Sequence, residues 1–189
     1  MSSATEDAAV AALVARYGLT PHPEGGYFKE TYRAPTSFAR DGDGAKRSLA
    51  TSIFYLLRRG QKSSLHRIKS DELWFHHAGD DLSVYELLEP GQAAGAGAGA
   101  SPAAASVRRT LMGSTSPAAV HFYAVGAGVY FGSILDEPAG AHGFSLVSCV
   151  VAPSFDFADW TMEGKEKLLQ LFPGDECARV IAFLGAEGV

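Results

Sequence analysis

A chain of 189 residues, 47% apolar and 20% charged, has enough apolar material for one domain with a real core, and this composition excludes disorder as its main state. A formal charge of −5 and a pI near 5.6 leave no basic face for nucleic acid. No apolar run approaches the ~20 residues of a membrane span, and "MSSATEDAAVAALVARYG" lacks a basic stretch ahead of its apolar part, so neither membrane insertion nor secretion is expected. Cys149 and Cys177 stand far apart and in no metal-type spacing, which fits a reduced, cytoplasmic protein.

The elements follow in chain order. Ser3 and Glu6 have capping-box spacing, Val10, Leu13, Val14 and Tyr17 form one apolar stripe, and Gly18 stops the helix predicted over residues 1–20. In "TPHPEGGYFKETYRA" two prolines and a glycine pair make a tight loop that leads into a strand, Tyr27 to Arg33. Residues 34–47 read as polar loop. Strand signals then dominate: "SLATSIFYLLRRG", "DELWFHHAG", "DLSVYELLEPG", "SVRRTLMG", "AVHFYAVGAGVYFGSIL" broken at Gly126 and Gly128, and "GFSLVSCVVAP". Strands at roughly 8–15-residue intervals predict a sandwich or barrel and not a βαβ array. Residues 90–106, "PGQAAGAGAGASPAAAS" from Pro90, are of low complexity and read as a flexible loop without a functional role. Two short helices close the chain within 160–185, divided at Pro173–Gly174. No internal boundary or repeat is visible, so residues 1–189 read as a single, mainly β domain.

Two stretches have the spacing of the strand-pair motifs that mark the cupin superfamily. Gly60 is followed after five residues by His66, then by Ile68, Glu72 and Gly79 at the expected intervals. Ile68 stands where the motif has a second histidine. In "VGAGVYF", Gly126 stands for a proline and Phe131 for a histidine. The chain also resembles one branch of small cupins, largely of unassigned function, through "HPEGGYFKETYR", "RSLATSIFYLL", "HRIKSDELW" and "APSFDFADW". The resemblance spans about residues 16 to 175. It implies a cupin-type jelly-roll β-barrel, usually paired as a homodimer, to which the helix signals above add an N-terminal helix and two short C-terminal helices.

The resemblance also implies a site of three imidazoles and a carboxylate for a divalent metal, but Ile68 and Phe131 carry no ligand atom. His76 shares a strand face with Glu72 and Trp74, yet lies about 13 Å along the strand from Glu72 at ~3.3 Å per residue. One ion with bonds of ~2 Å does not span that. His76 therefore reads as structural, as the branch's usual aromatic residue there suggests. His77 faces the other way, toward the surface or a sheet contact. His22, His121 and His142 read as loop or surface residues. No tightly bound cofactor is expected; His66 and Glu72 are what remains to hold a divalent ion.

Without a metal, the barrel mouth offers His66, Glu72 and Tyr130 as candidate catalytic residues. Glu24, Gly25, Gly26, Lys69 and Trp74 are candidates for ligand binding. An imidazole and a carboxylate in an apolar barrel have environment-tuned proton affinities and serve as base and acid. Trp74 and Tyr130 offer flat faces to a sugar ring or a base. A carboxylate at Glu72, just before the apolar "LWF", is costly to bury unpartnered, and His66 is its expected partner. Glu24 either reaches the barrel mouth or caps its own loop. Asp156 is expected to tie the strand end to the first C-terminal helix, with Phe155 and Phe157 as packing. Sugar-nucleotide epimerases of the superfamily use a metal-free pocket of His, acid and Tyr; the likeness to them is one of fold and residue type, not of motif. The expected function is binding, isomerising or epimerising a sugar-like or other small polar metabolite. A metal-dependent dioxygenase or isomerase, with His76 or water in place of lost ligands, is the alternative. A side-chain-filled barrel serving assembly is the third.

Overall fold

A computed structural model describes residues 3–40, 42–91, 104–135 and 142–186. Most of the low-complexity segment 90–106 lies outside these. Helix α1 (Ser3–Tyr17) precedes β1 (Thr20–Pro21), β2 (Tyr27–Arg33), β3 (Ser37–Ala39), β4 (Lys46–Ser48), β5 (Thr51–Arg58), β6 (Lys62–Ile68) and β7 (Asp71–Gly79). Then come β8 (Leu82–Leu88), β9 (Ser106–Met112), β10 (Phe122–Val125), β11 (Tyr130–Leu135) and β12 (Phe144–Ala152). A 3-10 turn (Phe157–Asp159), β13 (Trp160–Thr161), α2 (Lys165–Leu171) and α3 (Asp175–Leu184) follow.

Two antiparallel sheets face one another, as the jelly-roll expectation requires. One has the order β1-β2-β5-β12-β7-β10, the other β13-β6-β11-β8-β9. The alternation of side chains along each strand decides what goes between them. Tyr55 and Leu57 of β5, Trp74 of β7, Cys149 of β12, Val84 of β8 and Phe131 of β11 all enter the inter-sheet core. The opposite phase packs outward. Leu56 and Leu146 meet Val10, Leu13, Val14 and Tyr17 of α1, so the helical stripe covers the six-stranded sheet. Leu65, Leu87 and Tyr130 meet Leu168, Phe172, Val180 and Ile181, so α2 and α3 cover the five-stranded sheet. Strands covered on both faces read as continuous apolar runs, which is why "SIFYLL" shows no polar alternation.

Two boundaries differ from expectation. Residues 34–47 are not all loop: β3 and β4 pair as a hairpin, with Phe38 opposite Arg47. Their polarity reflects solvent exposure, not lack of structure. The segment 160–185 opens with a strand, since Trp160 pairs with Ile68 before the first helix begins at Lys165.

Candidate functional site

The site begins with the loop between β1 and β2. His22 and Gly26 bond backbone to backbone, and the Gly25 N–H donates to the His22 carbonyl. Gly25 (φ +109°) and Gly26 (φ +71°) lie in the left-handed region that glycine tolerates. The fit is also steric: a Cβ on Gly25 would overlap the Lys62 carbonyl oxygen. The loop is then pinned from two sides. The Tyr55 hydroxyl donates to the Gly25 carbonyl at 2.7 Å, and the Ser64 N–H donates to the Glu24 carbonyl at 2.9 Å.

This pinning drives the Glu24 side chain inward. It is buried, and its carboxylate accepts from Trp160 Nε1 at 2.7 Å and from Ser63 Oγ at 3.1 Å. His66 Nε2 lies 3.3 Å from Glu24 Oε1. The other His66 nitrogen, Nδ1, donates to the Ser64 carbonyl at 2.7 Å, so Nε2 is the nitrogen turned to the carboxylate. His22 Nδ1 accepts from the Glu24 N–H at 3.3 Å, which leaves Nε2 as its protonated nitrogen in the neutral ring.

These residues line a cavity of about 370 Å³ inside the barrel. Glu72, Trp74, Tyr55 and Cys149 line it with them, and Arg33, Asp156 and Phe157 stand among its lining residues nearer solvent. Burial sets its proton affinities in opposite directions. Desolvation lowers His66 to about 4, against a weaker opposing effect of its bond to Ser64. Desolvation raises Glu72 to about 8, helped by the charge of Glu24 and opposed by a hydrogen bond with Cys149. Glu24 is raised by burial, and the Cys149 thiol is pushed well above its ordinary value by burial beside Glu72. A neutral imidazole and a protonated carboxyl therefore share one cavity.

The structure brings His66, Glu72, Trp74 and Glu24 together, but not in the pairing expected. Glu24 is the carboxylate in contact with His66, while Glu72 bonds to Cys149. Gly25 and Gly26 act through the loop they shape. Tyr130 lies outside the cavity: with Phe131 pointing inward, its neighbour must point outward, and it packs on Phe172 beneath Arg67. Lys69 is also outside, its side chain 59% exposed and within 4 Å of Asp43 and Asp159. Asp156 caps the 3-10 turn by accepting from Ala158 N–H at 2.9 Å, and lines the cavity with Phe155 and Phe157.

Sequence reasoning missed Tyr55, Ser63, Cys149 and Trp160, and assigned His22 to a loop without a role. "HPEGG" held the signal for His22, two residues from Glu24. For Tyr55 and Cys149 the signal was strand phase, which an apolar run covered on both faces conceals. His76 stays out of the cavity, its N–H donating to the His121 carbonyl, and His77 bonds Ser148 Oγ at 2.6 Å on the outer face.

The residues present do not fit the four-ligand metal set. Phe131 fills one ligand position, its ring 4.2 Å from that of His66, and Ile68 is buried aliphatic at the other. Among the described residues no group of three or more His, Cys, Asp or Glu side chains is placed to hold an ion. Among the same residues no helix is long and apolar enough to cross a membrane.

Residues 11–163 match a family profile described as cupin superfamily (DUF985). A hypothetical protein from Leishmania major is 34% identical, with 94% of this chain and 98% of that one covered and a TM-score of 0.81. A protein of solved structure from Shewanella oneidensis is 30% identical, with 93% and 96% covered and a TM-score of 0.74. No curated protein matches the chain.

Proposed function

The chain belongs to the cupin superfamily, and from that premise we propose that its barrel cavity binds a small polar metabolite, sugar-like in size, and isomerises or epimerises it by proton transfer. The observation that carries this reading is the placement of His66, Glu24 and Glu72 around one cavity of about 370 Å³. That volume lies in the range of small-molecule sites. A barrel serving assembly alone has no need of such a cavity or of two buried carboxylates.

The chemistry follows from the opposed proton affinities. Near neutral pH His66 is a free base and Glu72 a neutral acid, which is the division of labour that isomerisation requires. His66 Nε2 takes a proton from a carbon beside a carbonyl, with Glu24 in contact to stabilise the imidazolium that forms. Glu72 gives its proton to the carbonyl oxygen, so an enol results. Reversal, with the proton returned to the neighbouring carbon or the other face, completes the reaction. Tyr55, buried and with its hydroxyl held by Gly25, remains a neutral wall residue.

The test is isotope uptake. Wild-type protein incubated with a metabolite extract in D2O is expected to place one deuterium into one or a few compounds, read by mass spectrometry. His66→Asn is expected to abolish that uptake. Absence of labelling by the wild type, with no small molecule retained in native mass spectrometry, sinks the proposal.

A further inference from the structure

The cavity's charges are lopsided. Arg33 is its single arginine among the described residues, and no lysine lines it. That arginine is already engaged: its Nε and Nη2 donate to Glu30 at 3.0 and 2.7 Å. Glu24 and Glu72 lie deeper, both buried, and among the described residues neither is paired with a lysine or arginine. Glu24 meets imidazoles, an indole and a hydroxyl; Glu72 meets a thiol. Around them the walls are aromatic, with Phe28, Tyr55, Trp74, Phe155 and Phe157. Buried acids without a cation, set among aromatic rings, complement a positive guest.

We infer that the ligand is a small organic amine, whose ammonium group sits between Glu24 and Glu72 and whose carbon frame lies against the aromatic walls. This rests on the cavity being a small-molecule site, as proposed above, and narrows its guest to a cation. An ammonium supplies three donors, and each carboxylate has acceptor capacity to receive them. An anion meets two acids and no free cation. A neutral polyol satisfies the acceptors but gains nothing from the charge.

The electrostatics couple binding to proton release. Burial holds Glu24 and Glu72 toward their neutral acids, Glu72 at about 8. The remaining titratable neighbours are His22 and His66, both lowered by burial, Tyr55 and Cys149, both raised, and the paired Arg33, Glu30 and Asp156 near solvent. A bound ammonium favours the ionised form of Glu24, the carboxylate in contact with His66, so a proton leaves as the amine enters, while Glu72 keeps the proton it donates and accepts through its carbonyl oxygen.

The experiment compares matched probes on the full chain by calorimetry, with the histidine NMR signals of His22 and His66 as a local reporter. One set is D-glucosamine, D-glucose and D-glucuronate; the other is benzylamine, benzyl alcohol and benzoate. In at least one set the amine is expected to bind at least about tenfold more tightly than its neutral and anionic counterparts, the scale of one charge-assisted contact. Its heat is expected to vary with buffer in the manner of proton release. Glu24→Gln is expected to lower that amine's affinity about tenfold while the alcohol or glucose changes less than twofold, with amide NMR signals unchanged outside the β1–β2 loop as the check on folding. Tighter binding of the neutral or anionic member in both sets overturns the cation preference but keeps the cavity as a ligand site. Failure of every probe to perturb either histidine overturns both.

Discussion

A buried carboxylate is costly unless partners surround it, and the two here meet that cost differently. Glu24 is enclosed by Trp160, Ser63, His22 and His66, so its position is fixed by polar contacts. Glu72 has the Cys149 thiol and is held neutral by burial. The consequence is a stability that depends on pH with a calculable sign. For Glu72 the folded value of about 8 lies above the ordinary 4.5, so the unfolded chain ionises first and stability falls as pH rises between the two. For His66 the folded value of about 4 lies below 6.5, so stability falls as pH drops through that window. The slopes oppose one another below 6.5, and Glu72 dominates above it. Urea unfolding is therefore expected to show wild-type stability declining from pH 6.5 to 8 by roughly 2 kcal/mol. Glu72→Gln is expected to lose a large part of that decline, and Glu24, also raised by burial, contributes in the same direction. Equal slopes in the two proteins count against a neutral buried Glu72. At this scale the sequence was legible wherever motif spacing reported strand phase: His66, Glu72 and Trp74 do line one cavity. It failed at Tyr130, where alternation beside the inward Phe131 already pointed the ring away. It failed also at the partner of His66, because Glu24 comes from a loop 42 residues distant in the chain, and no local pattern reports that contact.

At the scale of elements, the β3–β4 hairpin illustrates what polarity hides. Arg40 of the turn donates to Asp159 at 2.8 and 2.9 Å, and Arg47 of β4 donates to it at 2.6 Å. Asp159 is buried and ends the 3-10 turn that follows Phe155 and Asp156, so the hairpin braces the segment supplying one wall of the cavity. Both guanidiniums hold the Asp159 carboxyl below its usual range, at about 2. Its stabilising effect is thus present above the ordinary 3.8 and lost as pH falls through about 2. Asp159→Asn leaves two guanidiniums facing an amide, which weakens the tie between the hairpin and the 3-10 turn. Amide hydrogen exchange is expected to quicken in residues 37–48 and 154–161 of that variant and to stay unchanged in α1. Unchanged exchange in 37–48 denies the bracing role. "APSFDFADW" was read as a strand end with packing phenylalanines. The ties to Arg40 and Arg47 span more than a hundred residues, which is why the hairpin passed for loop.

At the scale of the molecule, the two-sheet plan was legible because it needs only strand periodicity, turn glycines and the amphipathic stripe of α1. The family was legible because its motifs lie at fixed spacing along single strands and turns. Assembly belongs to a different kind of information. A 189-residue jelly roll leaves edge strands, and an edge with apolar side chains is a site for pairing or covering. In the six-stranded sheet β10 pairs with β7 and ends the order. Phe122 on it is 47% exposed and stacks on Phe75 of β7, with Val120 just ahead also exposed. We propose that the homodimer implied by the sequence resemblance pairs along this edge. Size-exclusion chromatography with light scattering is expected to give about 40 kDa, twice the 19.9 kDa chain. Phe122 and Val120 do not line the cavity, so changing both to lysine is expected to shift the mass to that of one chain and to leave the histidine NMR signals of His22 and His66 in place. A wild-type mass near 20 kDa removes the dimer, and a doubly substituted dimer moves its contact away from β10.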